Sequence, residues 1–399
     1  MCTHGERRAV IVSAVRTPIG RFLGGLSPLT APELGAVAIR EALRRIQLDP
    51  REVQEVIMGN VLQGGVGQGP ARQAAIKAGI PVQVPAYTVN KVCGSGLKSV
   101  MLAAQAIQLG QAEVIVAGGM ESMSNAPFFV RELRKGNKFG DVRLVDLMIW
   151  DGLWDAFTDQ HMGSLADYTA EKAGLSREEL DRYAYESHQK ALQAIDNGWF
   201  KEEIVPVEVP GRKGQVTVVD TDEGPRRDTS LEKLAKLPPV FTKGGKVTAG
   251  NSSTLNDGAA AVVVMSEDRA LAMGLEPLAV IEAYTAAAVD PRDVFFAPIE
   301  GVKKLLHLLD AKDVSVFDLI EINEAFAAQT LADGKALGFD WSRVNVHGGA
   351  IALGHPIGAS GTRVLVTLLY AMKQRNARRG LATLCIGGGM AVAMSVVRP

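Results

Sequence analysis

The chain has 399 residues, 47% apolar and 22% charged, with 43 basic against 44 acidic side chains and a net charge of −1. Such a length points to two or more hydrophobic cores. The near-neutral balance, with no long basic run, argues against nucleic acid as a partner. Cysteines at 2, 93 and 385 are too few and too scattered for a disulfide framework, and no Cys or His spacing suggests a metal site. The N-terminus lacks the apolar stretch of a secretory signal, and no apolar run is long enough to span a membrane. "SVVRP" at the C-terminus lacks the peroxisomal tripeptide. A reducing cytoplasm is the expected location.

In chain order, "AVIVSAVRTP" opens the sequence as a strand, and "AYTVN" reads as another that ends near Val89. Cys93 follows in "CGSG", ahead of a helix whose apolar face is Leu97, Val100, Met101, Ala104 and Ile107. At that junction the helix dipole and free N–H groups favour a thiolate. "AEVIVAGGMESMS" (112–124) is an apolar run, a glycine turn and a small-residue run. The pattern returns in the second half. "LAVIEAYTAAAVDP" opens it, "RVNVH" precedes the small-residue turn "GASG", and Val364, Leu365, Leu368, Leu369 and Met372 form a helical face. "LATLCIGGGMAVAMS" (381–395) closes it. The chain thus reads as two similar α/β units, about 1–125 and 276–399.

Between them the texture changes. Residues 126–245 hold Trp150, Trp154 and Trp199, the charged helical stretch "SREELDRYAYESHQKALQAID" and the basic "GPRRDTSLEKLAKLPP". This reads as an insertion, and residues 246–275, with the strand "DGAAAVVVMS", complete the first unit. Long insertions on a rigid scaffold tend to carry binding.

The chemistry concentrates in "NEAFA" (323–327), "NVHGGAIALGHPIGASG" (345–361) and "CIGGGM" (385–390). His355, between Gly354 and Pro356, cannot lie in a helix interior, whereas His188 and His307 sit in helical patterns as packing or surface residues. Cys93 and His355 occupy matching places in the two units, so facing repeats bring them together. Cys385 is a second thiol, and the glycines after it leave backbone N–H groups free for an oxyanion. Two thiols and one imidazole suggest a nucleophile and an acid/base for a carbon-bound proton. A Cys93–Cys385 redox pair is the rival, and the histidine and the glycine turn fit acyl transfer better. "GGVGQG" (64–69) raises a dinucleotide site, but its spacing is wrong and no acidic residue ends the next strand.

Six motifs in order, "VCGSGLKS", "AGGMESMSNAP", "GNSSTLNDGAAA", "NEAFA", "GGAIALGHPIGASG" and "CIGGGM", resemble the thiolases over nearly the whole chain, nearest their acetoacetyl-CoA-forming branch. The resemblance implies a duplicated βαβαβαββ unit in five α-β-α-β-α layers, with a loop domain inserted in the first half. It implies reversible Claisen condensation of two acetyl-CoA through an acetyl-cysteine; the alternative is a 3-ketoacyl-CoA thiolase for longer chains in fatty-acid β-oxidation. In this likeness Cys93 is the acylated nucleophile, His355 its base and Cys385 the α-proton shuttle. Asn323 holds a water beside His355, and the N–H groups of Cys93 and Gly387 form an oxyanion hole. His161, Met162, Ser253, Arg226, Phe241, Ala249, Leu153 and Phe326 match the coenzyme A and acyl walls, and Arg and Lys at 212–213, 226–227 and 233–236 would attract its 3′-phosphate. No cofactor or metal is implied, since coenzyme A belongs to the substrate. A dimer or tetramer is implied, with contacts from residues 123–146.

Two departures stand out: Lys233 replaces a small polar residue, and "VFFAP" (294–298) places Phe295 and Phe296 where thiolases carry glycine. If those rings enter the acyl pocket, short acyl groups are favoured. A β-ketoacyl synthase would want a second histidine at Cys385, and a non-catalytic lipid-binding relative would have lost Cys93 or His355.

Overall fold

The computed structural model describes residues 7–211 and 214–399; Cys2, His4, Arg212 and Lys213 lie outside them. In the first unit β1 (Ala9–Arg16), α1 (Ala31–Arg45), β2 (Glu55–Gly59), α2 (Pro70–Lys77), β3 (Ala86–Val89), α3 (Ser95–Gln108) and β4 (Val114–Ser122) follow one another. Residues 123–255 then leave the sheet and hold α4 (Met162–Lys172), α5 (Arg177–Asp196) and the hairpin β5 (Val207–Pro210) and β6 (Val216–Val219). Ser176 and Glu179 start α5 with a reciprocal capping box. The chain returns as β7 (Asn256–Ser266).

The second unit repeats the sequence of elements: β8 (Ala279–Ala288), α6 (Ala297–Leu308), β9 (Leu319–Ile322), α7 (Ala327–Leu337), α8 (Ile357–Gln374), β10 (Arg379–Ile386) and β11 (Met390–Val397). Strand order is β1-β7-β4-β2-β3 in one half and β8-β11-β10-β9 in the other. Pairing directions match as well, since β2–β4 and β9–β10 are parallel while β4–β7 and β10–β11 are antiparallel. Among the described residues, the two half-sheets pair edge to edge at Val10–Val280 and Ile11–Ala279.

One element of the repeat is reduced. "RVNVH" occupies the place of β3 but bridges β9 at one point, Val344 to Ile320. Asn345 sits at φ +44°, and its side chain takes the Ile322 N–H and gives to the Ile322 carbonyl. A side chain holding the β9 backbone replaces the ladder, so no strand forms here.

Residues of β1, β4 and β7 are buried on both faces, and alternate positions feed different cores. Ile115, Ala117, Val262 and Val264 join α3 and α8 in the middle layer, whereas Val114, Val116, Ala261 and Val263 pack under α1 and α2. Val302, Leu305 and Leu306 of α6 cover the outer face of the second half beside Ile320, Ile322 and Leu381. The layers are therefore α-β-α-β-α, as the resemblance implied. No helix among the described residues is long and apolar enough to cross a membrane.

The central helices touch at their glycines. A Cβ on Gly96 would lie 2.7 Å from the Thr362 nitrogen, and one on Gly361 would collide with the Leu97 nitrogen. Helix propensity favours alanine over glycine by at most about 1 kcal/mol, whereas overpacking costs about 1–3 kcal/mol. Gly96→Ala should therefore lower the urea midpoint of unfolding with an unchanged m-value; an unchanged midpoint would show that the helices can separate without cost.

Candidate active site

The turn from β3 into α3 is built by its own polar residues. Asn90 Oδ1 accepts the Val92 N–H at 3.1 Å, Ser95 Oγ accepts the Lys91 N–H at 2.8 Å, and the Ser95 hydroxyl donates to the Val92 carbonyl at 2.6 Å. This holds Val92, a β-branched residue, in the left-handed region at φ +44°. Such backbone strain costs on the order of 1–3 kcal/mol and clusters at functional sites. It presents Cys93 to a cavity of about 390 Å³.

His355 enters the same cavity from the turn before α8. Its N–H is held at 3.0 Å by Asn256 Oδ1 at the start of β7, so the first unit positions the histidine of the second. Ring Nδ1 lies 2.6 Å from Ser360 Oγ, and Nε2 lies 3.4 Å from the side-chain nitrogen of Asn323. Burial, and then the Arg363 guanidinium, hold this imidazole down to about 3, so it rests neutral. Cys385, 2% exposed at the end of β10, lines the cavity with Gly387. The β10–β11 turn needs positive φ at Gly388 and Gly389 (+82° and +79°), which glycine adopts without strain.

The expected thiolate at Cys93 is corrected by this environment. Burial pushes the thiol up to about 11, the N–H groups of Gly387 and of Cys93 itself pull it down by less, and Glu121 raises it further. Desolvation outweighs the helix N-terminus. Cys385 is likewise raised well above its ordinary value, by burial first and then by Cys93 and Asp333.

Of the other residues singled out in the sequence, Leu153, Met162, Ser253 and Phe326 line the cavity. Asn323 stands behind His355. His161 stacks on Phe241 at 4.7 Å, and its Nδ1 accepts the Gly163 N–H, capping α4 behind Met162. Phe241 meets Phe326 edge-on at 6.2 Å. Arg226 and Ala249 are exposed and do not line the cavity; the Arg226 N–H donates to His188 Nδ1. Lys233 is engaged by Asp228, and Arg227 by Asp196. The two phenylalanines divide. Phe295 lines the cavity edge-on to Phe326 at 5.2 Å, whereas Phe296 turns away under the Lys172 ammonium at 5.1 Å.

Sequence reasoning gave no role to Asn256 or Glu121. Glu121, fully buried, accepts from the Asn60 side chain, from the Val61 and Leu62 N–H groups, and from the Gly358 N–H that begins α8. One carboxyl thus ties β4 and the loop after β2 to the histidine turn. Their signal lay inside the quoted motifs, as an acid in the apolar run "AGGMES" and a polar "LND" opening a strand.

Gly64 packs against the insertion, where a Cβ would lie 2.8 Å from Leu147. A duplicated five-layer fold with two cysteines and a histidine drawn from both halves into one cavity defines a class. Residues 9–268 match the thiolase N-terminal domain and residues 275–398 the thiolase C-terminal domain, and the chain belongs to the thiolase family. It is 58% identical over 389 residues to the acetyl-CoA acetyltransferase of Pseudomonas aeruginosa, covering 98% of this chain and 99% of that one. It is 55% identical over 389 residues to the acetyl-CoA acetyltransferase of Cupriavidus necator, with the same coverage. The crystal structure of the Bacillus anthracis acetyl-CoA acetyltransferase matches with a TM-score of 0.97 at 43% identity, over 99% of this chain and 100% of that one.

Proposed function

We propose that the protein is an acetyl-CoA C-acetyltransferase, joining two acetyl-CoA into acetoacetyl-CoA and free coenzyme A, and reversing that reaction. The observation that carries this is the meeting of Cys93, His355 and Cys385 at one cavity, with relatives named for the same activity supporting it.

Cys93 Sγ gives its proton to His355 Nε2 and attacks the thioester carbonyl. The N–H groups of Cys93 and Gly387, already directed at the sulfur, receive the oxyanion. The bond to coenzyme A breaks, and its thiolate takes the proton of Cys385. Cys385 then removes an α-proton from the second acetyl-CoA, whose carbonyl oxygen is held by His355 and a water on Asn323. The carbanion attacks acetyl-Cys93, a carbon–carbon bond forms, and Cys93 leaves and recovers its proton from His355. Both acid/base groups end as they began.

The insertion, residues 126–245, with Ser253 beyond it, would seat coenzyme A. Met162, Leu153, Ser253 and Phe326 face the pantetheine and acyl end, His161 and Phe241 back them, Ala249 belongs with the apolar walls, and the exposed Arg226 lies toward the adenine. This chemistry uses no metal or further cofactor. We also propose a homo-oligomer, dimer or tetramer, through residues 123–146, where Leu133 and Leu144 are exposed and Phe139 is 97% exposed. Two reactive thiols in one cavity suit a reducing cytoplasm.

Acyl length is set by Phe295, whose ring occupies cavity wall where glycine would leave space. The measurement is thiolysis of acetoacetyl-CoA against 3-ketooctanoyl-CoA in the parent, Phe295→Gly and Phe296→Gly. The parent should prefer the shorter substrate, and only Phe295→Gly should gain on the longer one, by roughly 5- to 150-fold if about 1–3 kcal/mol of overpacking is relieved. A parent preferring the longer substrate would make this a 3-ketoacyl-CoA thiolase of β-oxidation instead.

A further inference from the structure

We infer that Ser360 is a positioning residue for His355, holding the ring as the Nδ1–H tautomer so that Nε2 meets Cys93 as a proton acceptor. The inference rests on His355 being the base of the proposed reaction. Ser360 is fully buried in the first turn of α8. A serine hydroxyl has one proton to give, and here it goes to the Pro356 carbonyl at 2.9 Å. Toward Nδ1, 2.6 Å away, Oγ is then an acceptor, and the ring proton belongs on Nδ1. The other ring nitrogen agrees with this. The Asn323 side-chain nitrogen, which carries only donors, faces Nε2 at 3.4 Å, and an amide N–H requires a lone pair there.

The partner at Nδ1 is a hydroxyl and not a carboxylate, which separates this device from the serine-protease arrangement. A carboxylate would stabilise imidazolium in the resting site. A hydroxyl orients the ring and leaves it neutral, so the thiol proton moves only as the thioester is attacked. The buried charged group that acts on His355 is the Arg363 guanidinium, which opposes a second positive charge.

The test uses the full-length protein labelled with [15N]histidine. Long-range proton–nitrogen spectra separate the tautomers, and His355→Gln assigns one of the six histidines. The expected result is an Nδ1–H pattern for His355 in the native protein. In Ser360→Ala that pattern should become mixed or reverse, with kcat for condensation down by ~10²-fold and KM unchanged, as for a group acting only on proton transfer. An Nε2–H tautomer in the native protein, with Ser360 as the donor, overturns the inference. So does a Ser360→Ala protein with native tautomer and kcat. Should that variant fail to fold, the native spectrum decides alone. Absence of an acetyl group on Cys93 would sink the proposed reaction but not the tautomer result, so the two failures are distinguishable.

Discussion

Cys93→Ala is expected to abolish condensation and thiolysis, by about 10⁴-fold or more, the scale of deleting a nucleophile from an acyl-transfer site. In the parent, acetyl-CoA should leave an acetyl group recoverable on the peptide that carries Cys93. The surroundings add a pH signature. With burial holding the thiol up to about 11, the thiolate fraction grows at every step from neutral to strongly alkaline pH. Alkylation of Cys93 by iodoacetamide, followed by peptide mass, should therefore keep accelerating between pH 7 and pH 10. A rate already level at pH 7 would mean a resting thiolate and a different partnership with His355. Acetyl found on Cys385 alone would exchange the two cysteines' roles.

The second large effect belongs to Cys385. Its thiol is almost fully buried and held protonated by that burial, with Cys93 and Asp333 adding to the effect. A group that keeps its proton until a stronger base appears suits handing one to a departing thiolate and reclaiming one from carbon. Exchange of acetyl between coenzyme A and Cys93 breaks no carbon–hydrogen bond. Cys385→Ala should therefore lose condensation by ~10²-fold or more, the contribution of a positioned acid/base, while retaining measurable acetyl exchange. Labelled coenzyme A reports the exchange, and acetoacetyl-CoA absorbance reports the condensation. Equal loss of both would merge the two thiols into one function.

What could be read from the sequence was whatever local pattern decides. The faces of α3 and α8 were legible because every third or fourth residue is apolar, and the repeat because its glycine turns recur in order. Cys93 and His355 were placed together by that repeat alone. The rest depends on what a residue meets far along the chain. The run at 343–347 has strand-like residues, yet Asn345 finds the Ile322 backbone and bends away. The acidity of Cys93 follows from burial between two units, which no window around residue 93 contains. Phe295 and Phe296 are adjacent and chemically alike, and only the 3₁₀ turn before α6 sends one inward and the other toward Lys172. Asn256 and Glu121 act through hydrogen bonds to residues whose proximity exists only after folding.

The contact between α3 and α8 at Gly96 and Gly361 has a temporal side. A ribosome releases the half bearing Cys93 roughly 260 residues before the half bearing His355, at ~5–20 residues per second. During those seconds Cys93 is present without His355. Only when the second helix seats against the first, glycine on backbone, do Cys93 and His355 come to share one walled cavity. On the proposed reaction, the growing polypeptide is expected to transfer no acyl group until both halves have been made.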